Sequence, residues 1–362
     1  MSMLETALMV GKSLLIVIAL LQVAPIMMWV ERRGSAWMQK RLGPNRVGPF
    51  GLIQALADAV KFIWKEERAP GHVNKVFYMM APMISVVPAF ITFAVIPFAS
   101  QITLGDGTVV SFQVANLNIG LLYILAVSSL GVYGIIMGGW ASNSKYALFG
   151  SLRSSSQMIS YELSMGLSII GVVLMFSSID LNEIVRAQGQ ALTIAGTALP
   201  LPAWGVFTQP LAFLIFMTAA FAETNRLPFD LPEGESEIVA GYHLEYGPMK
   251  FAVFMMAEYM NMTTASGLLV SLFFGGWQLF WPFTWILENS GLTGMAFEWL
   301  RIGLEVTSFV TKVAFFMWLF VWVRWTLPRF RYDQLMNLGW KVMLPLALAN
   351  VFVTAVVIYW LR

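Results

Sequence analysis

Apolar residues run through this chain in long uncharged blocks, not in the short periods of a water-soluble core. Windows long enough to cross a bilayer, about 20 residues, centre on 9–30, 76–98, 119–140, 157–178, 204–224, 250–280, 304–325 and 340–360. They predict an all-α polytopic membrane protein, one membrane domain over 1–362 with about eight transmembrane helices. The seventh window is the weakest, because Lys312 interrupts it and Glu305 precedes it. The first is uncharged from Ser13 to Val30 and is followed by Glu31-Arg32-Arg33, which reads as a retained helix and not a cleaved signal.

Two long polar segments, 31–75 and 225–249, interrupt the apolar blocks. Within the first, Leu52, Leu56, Val60 and Ile63 share one helical face, and Asp58, Lys61 and Lys65 share another. A helix over 50–65 is too short to span, so it is expected to lie along the interface. It serves either as a surface anchor or with Asp58 and Lys61 turned to a cavity beside the acidic stretch. The segment Leu104–Val110 resembles a short hairpin with Gly105-Asp106-Gly107 as its turn. No internal repeat is visible, unlike the paired broken helices of inverted-repeat transporters.

Charge sharpens the picture. Only 12% of the residues are charged, against about 25% in soluble domains. Of the 22 lysines and arginines, seventeen fall in the loops on one side. The opposite loops and the C-terminal end hold Arg186, Arg301 and Arg362. The positive-inside rule then places both termini outside and the acidic stretch Glu223–Lys250 on the inner face. A net charge of +2 gives no support for nucleic-acid binding. With no cysteine, disulfides, thiolate chemistry and iron–sulfur ligation by this chain are excluded. Its two histidines, His72 and His243, lie outside the apolar runs, which argues against haem between spanning helices. No GxGxxG, GxxxxGK[ST], HExxH or nucleophile elbow is present, so a redox or energy-yielding step must be carried elsewhere.

The candidate chemistry is therefore carboxylate chemistry. Glu162, Glu223 and Glu258 sit in apolar helices, where each charge costs roughly 2.5–3.5 kcal/mol at mid-bilayer. They imply burial against partners or water, either as structural hydrogen bonds between helices or as groups that hold and pass a proton. Gly166 near Glu162, and Ala219 and Ala220 near Glu223, leave room beside them. Seven of the twenty acids lie between Glu223 and Glu258: those two with Asp230, Glu233, Glu235, Glu237 and Glu245. Pro228 and Pro232 make the segment before Ile238 irregular, and its apolar flanks suggest that it folds back onto the protein. No EF-hand spacing is present, and no metal site is expected. Glu305 and Lys312, two turns apart, read as structural, in a buried ion pair or with separate partners. The Gly43-Pro44 and Gly48-Pro49 pairs shape the basic loop into a specific path, which suits a protein partner or a polar headgroup.

The segments ERRGSAWMQKRLGPNRVGPFGLIQALADAVKFIWKE, SYELSMGL, AETNRLPFDLPEGESEIVAGYHLEYGPMKFAVFMMAEY and VRWTLPRFRYDQLMNLGWKVMLPLALAN together resemble the quinone-junction membrane subunit of respiratory complex I. That complex is the proton-pumping NADH–quinone oxidoreductase. The resemblance runs from one end of the chain to the other. It implies a subunit without a redox centre or cofactor of its own, with quinone (ubiquinone or a relative) as substrate. FMN and iron–sulfur clusters are implied in partner subunits, which belong to the peripheral arm's quinone module and the adjacent membrane arm. It further implies a quinone chamber at Glu31, Arg32, Asp58, Glu233 and Glu235. A proton path through Glu162, Glu223, Glu237 and Glu258 would lead on from it. Quinone would enter near helix one and the 50–65 helix, and the Glu223–Lys250 loop would change conformation with quinone occupancy. The expected location is the bacterial cytoplasmic (inner) membrane, the mitochondrial inner membrane being the alternative. An ion-coupled transporter is the reading from a different class, and the related component of a membrane-bound hydrogenase the nearer rival.

Overall fold

A chain surrounded by hydrocarbon must satisfy its own backbone polar groups, and this one does so almost entirely with helices. The computed structural model describes residues 3–103, 109–194, 197–231, 234 and 238–361. Helix α1 (Met3–Met38) leads, followed by the short α2 (Gln54–Trp64) and α3 (Lys75–Phe93). Next come α4 (Gly120–Ser128), α5 (Leu130–Ala141), α6 (Lys145–Phe176), α7 (Leu181–Gln188), α8 (Gly205–Thr208) and α9 (Pro210–Glu223). The last are α10 (Pro248–Phe273), α11 (Trp281–Glu288), α12 (Met295–Thr326), α13 (Tyr332–Asn337) and α14 (Leu344–Leu361). A π-helical turn over Leu338–Met343 joins α13 to α14.

Six segments are long and apolar enough to cross a membrane among the described residues: Met9–Met38, Lys75–Phe93, Gly120–Ala141, Lys145–Phe176, Met295–Thr326 and Tyr332–Trp360. The chain is thus an all-α polytopic protein. The two remaining apolar windows become α9, of 14 residues, and α10, of 26. Helix α10 carries Glu258, Asn261, Thr263 and Thr264 in its middle and is buried along most of its length. Its polarity is tolerated because protein, not lipid, surrounds it.

Several boundaries differ from the hydropathy windows. Helix α1 continues through Glu31-Arg32-Arg33 to Met38, since nothing in that run breaks a helix; it stops before Lys40, at φ 54. Helix α6 begins at Lys145, on a polar run that hydropathy alone passes over. Helix α10 ends at Phe273, because Gly275 and Gly276 adopt φ values of 68 and 52 that favour glycine. Helix α7, which Asp180 caps by accepting from the Asn182 N–H at 2.8 Å, carries no hydropathy signal. Strands Ile102–Thr103 (β1) and Val109–Val110 (β2) pair antiparallel, as the hairpin reading requires, although the turn itself lies outside the described residues. A second hairpin, β3 (Ala191–Ile194) with β4 (Thr197–Pro202), has no clear sign in the sequence.

Packing relies on small residues. Gly134 on α5 meets Ser85 and Ala81 of α3 so closely that a Cβ there has no space, and Gly139 meets Ser151 and Ala147 of α6 in the same way. Without a hydrophobic drive between helices in lipid, such close backbone approach supplies the contact. Glu305 and Lys312 on α12 take separate partners. The Ser100 N–H donates to Glu305 at 2.7 Å, while Lys312 donates to the carbonyls of Phe274, Gly276 and Gln278 at 2.9, 3.0 and 2.7 Å. Lys312 thereby fastens the glycine turn after α10.

Candidate functional site

The inner-loop charges converge on Glu31, on the last turns of α1. Its carboxylate is buried and accepts from Arg226 at 3.0 Å, from Arg324 at 3.0 Å and from the Tyr259 hydroxyl at 2.7 Å. These partners come from the turn after α9, from α12 and from α10. Arg226 also lies over the Tyr259 ring, 4.5 Å from its centroid, and its Nη2 is 3.9 Å from Glu258. The Tyr242 hydroxyl donates to Glu258 at 3.2 Å. One arginine therefore touches two carboxylates, and a tyrosine is bonded to each. Buried charges are tolerable when paired in this way.

A cavity of about 440 Å³ opens from this cluster between α1, α2 and α10. Glu31, Arg32, Arg226, Tyr259 and Arg324 line its polar end. Leu21, Ala24, Pro25 and Met28 of α1, Ala55, Ala59 and Phe62 of α2, and Met255 and Met256 of α10 line the rest. Such a shape, mostly apolar with a few convergent polar groups, is the usual form of a small-molecule site. Asp58 is paired to Arg32 at 2.5 Å and so reaches the cavity through that side chain, whereas Lys61 is exposed and does not line it. Much of the predicted apolar face of α2 is turned outward, with Leu56 63% exposed, and only Ile63, at its end, also borders the cavity. Its Ala55–Ala59–Phe62 face, which periodicity does not single out, faces the cavity.

Further into the bundle, two cavities of about 20 Å³ each meet at Glu223. One is bordered by Glu223, Asn225, Tyr242, Glu258 and Asn261. The other is bordered by Glu223, Asn261, Thr264, Thr92 and Ser128. Each is large enough for a single water, with polar neighbours to hold it. Glu162, on α6, is close enough to Glu223 to interact with it electrostatically. Beside Glu162, a Cβ on Gly166 would meet nothing within 4 Å, so the room inferred from sequence exists. Glu31 and Arg32 thus line the large cavity, with Asp58 paired to Arg32, while Glu258 and Glu223 border a small cavity further in, with Glu162 beyond. Glu233, Glu235 and Glu237 lie outside the described residues, as do parts of the loop expected to move.

The sequence alone does not single out Arg226, Arg324, Tyr259 or Tyr242. There Arg324 counts only toward orientation and Arg226 also as one of two bases among the acids of its loop, yet each neutralises Glu31. The sign available is Tyr259, directly following Glu258 in an otherwise apolar helix. Nearby, Arg329 pairs with Asp230 at 2.9 Å and the Phe330 N–H donates to the Pro228 carbonyl at 3.0 Å. The loop after α12 therefore holds the turn that carries Arg226.

Comparison with known proteins adds an independent line. The family model described as NADH dehydrogenase matches residues 11–355. The chain is 48% identical to the H subunit of NADH-quinone oxidoreductase from Bdellovibrio bacteriovorus, over 96% of this chain and 95% of that one. It is also 48% identical to an H subunit of the same enzyme from Cytophaga hutchinsonii, covering 90% and 89% of the two chains. With the H subunit from Leptospira biflexa the identity is 49%, over 91% and 89%.

Proposed function

The chain belongs to the NADH dehydrogenase family, a membrane component of NADH–quinone oxidoreductase, and we propose that it forms part of the quinone chamber and an acidic proton path. It is a multi-pass membrane protein, and other components of that complex are its partners. FMN and iron–sulfur clusters in those partners would supply the electrons. The proposed location is a bacterial cytoplasmic membrane, in keeping with the bacterial relatives.

The observation that carries the reading is Glu31, held jointly by Arg226, Arg324 and Tyr259 at the polar end of an apolar cavity. A quinone headgroup near Arg32 and Arg226 would place its tail along Met28, Met255 and Met256. Reduction of a quinone to a quinol takes two electrons and two protons, so negative charge develops before protons arrive. Charge in the cavity draws Arg226 away from Glu31 and Glu258. Each carboxylate then loses one counter-charge and gains proton affinity, Glu31 keeping Arg324. Protonation changes at coupled groups belong to the set and not to one member. Glu223 and Glu162 would extend the response into the bundle, one water at a time. Glu233, Glu235 and Glu237 are proposed to line or flank the same path.

A photoreactive quinone applied to the assembled complex tests the chamber. Labelling is expected on segments 21–32, 55–63 and 249–259, and should be lost with competing quinone. Specific labelling of this chain only elsewhere would overturn the assignment.

A further inference from the structure

A second groove lies away from the chamber, and its chemistry differs. It is a cavity of about 480 Å³ lined by Trp29, Arg33, Gly34, Trp37, Arg41 and Trp318, among others. The structure assigns this groove, we propose, to the headgroup and upper acyl chains of an anionic phospholipid of the inner leaflet.

Three features argue for that occupant. First, the charge is of one sign: Arg33 and Arg41 line the groove, and among the described residues no acid does. Second, three indoles share the wall, and tryptophan is the side chain favoured at headgroup depth, with one end apolar and the other wet. Trp37 and Leu42 are 76% and 86% exposed, a surface suited to acyl chains. Third, Arg33 is fixed in advance. Its guanidinium lies between the Trp29 and Phe50 rings, 5.6 and 5.4 Å from their centroids, and Nη1 donates to the Phe50 carbonyl at 2.8 Å. Nε and Nη2 make no hydrogen bond to the described residues, so they can bind a phosphate at little cost in ordering. Gly34 deepens the groove, because a Cβ there would press on the Trp318 ring at 2.9 Å. A protein partner would more commonly meet the two arginines with acids and exclude lipid altogether, so it becomes an outcome of the test. Basic pockets beside spanning helices on the inner side are a recurrent way to hold anionic lipids.

The test uses the assembled complex in phosphatidylcholine vesicles containing a photoreactive phosphatidylglycerol. Label is expected on segment 29–45 and around Trp318, and unlabelled phosphatidylglycerol, but not phosphatidylcholine, should displace it. Arg33→Gln and Arg41→Gln should each reduce labelling by about fivefold, the effect of one basic residue near an anionic surface. Among the described residues the Arg41 side chain bonds only to Gln39, so its variant keeps the test valid if Arg33→Gln fails to assemble. Unlabelled wild-type complex, as expected of a groove covered by a protein partner, would overturn the proposal. So would equal displacement by phosphatidylcholine, or undiminished labelling in Arg41→Gln.

Discussion

Arg226 and Glu31 stand 195 residues apart in the chain and 3.0 Å apart in space. The same arginine reaches Glu258 at 3.9 Å, so one cation is shared between the acid at the cavity and an acid further into the bundle. In the proposed mechanism, that shared counter-charge would let an event in the cavity be felt in the bundle.

If Glu31 is the anchor of this cluster, Glu31→Gln leaves Arg226 and Arg324 with an uncompensated charge. Breaking a buried pair from one side costs about 3–5 kcal/mol, so the yield of assembled complex should fall. Removing one cation as well, in Glu31→Gln with Arg324→Gln, should recover part of that yield. Native gels of the single and double variants check this. A double variant no better than the sum of its parts contradicts the charge-balance account.

Bulk placed on the cavity side of α2 should obstruct the ligand. Ala59→Trp is expected to lower kcat/KM for a long-tailed quinone by about tenfold or more, since even a methylene is worth roughly 1–3 kcal/mol in such a site. The same change at Leu56, which faces outward, should have little effect. Inhibitor-sensitive quinone reduction by the two assembled variants, with rates normalised to complex, gives the comparison.

The turn before α2 has a conformational requirement. Gly51 sits at φ 76, and a Cβ there would collide with the Pro44 backbone. Gly51→Ala should destabilise the loop by about 1–3 kcal/mol, read as a lower Tm of the purified complex. An unchanged Tm would show that this turn relaxes freely.

Lys312 is expected to be structural. In Lys312→Met three carbonyls lose their donor, each at about 1–3 kcal/mol if left buried and unsatisfied. Thermal stability should drop while proton pumping per assembled complex stays at the wild-type value. Lost pumping at normal stability would instead put Lys312 on a proton route.

How much of this is legible in the sequence depends on what a residue's role requires. Spanning helices announce themselves because hydrocarbon tolerates few charges, and Glu162, Glu223 and Glu258 stand out for the same reason. Helix α10 is visible but overextended, since Gly275-Gly276 reads as apolar until its φ values are known. Arg324 and Tyr259 are hidden for a different reason. Their role is to meet Glu31 across long sequence separations, 293 and 228 residues, and no local pattern encodes a tertiary meeting. On α2 the periodicity shows a helix with two faces, yet which face meets the cavity is fixed by α1 and α10.

The central claim is that acids of this chain carry the proton response to quinone reduction, and Glu223 tests it most directly. It touches both small cavities and neighbours Glu162, yet lines no part of the large one. Quinone reduction and proton translocation would be measured together for Glu223→Gln complex in sealed vesicles, per assembled complex. Translocation should fall by about tenfold or more, as expected when a positioned proton carrier is removed. Wild-type rates of both reduction and translocation would contradict the account.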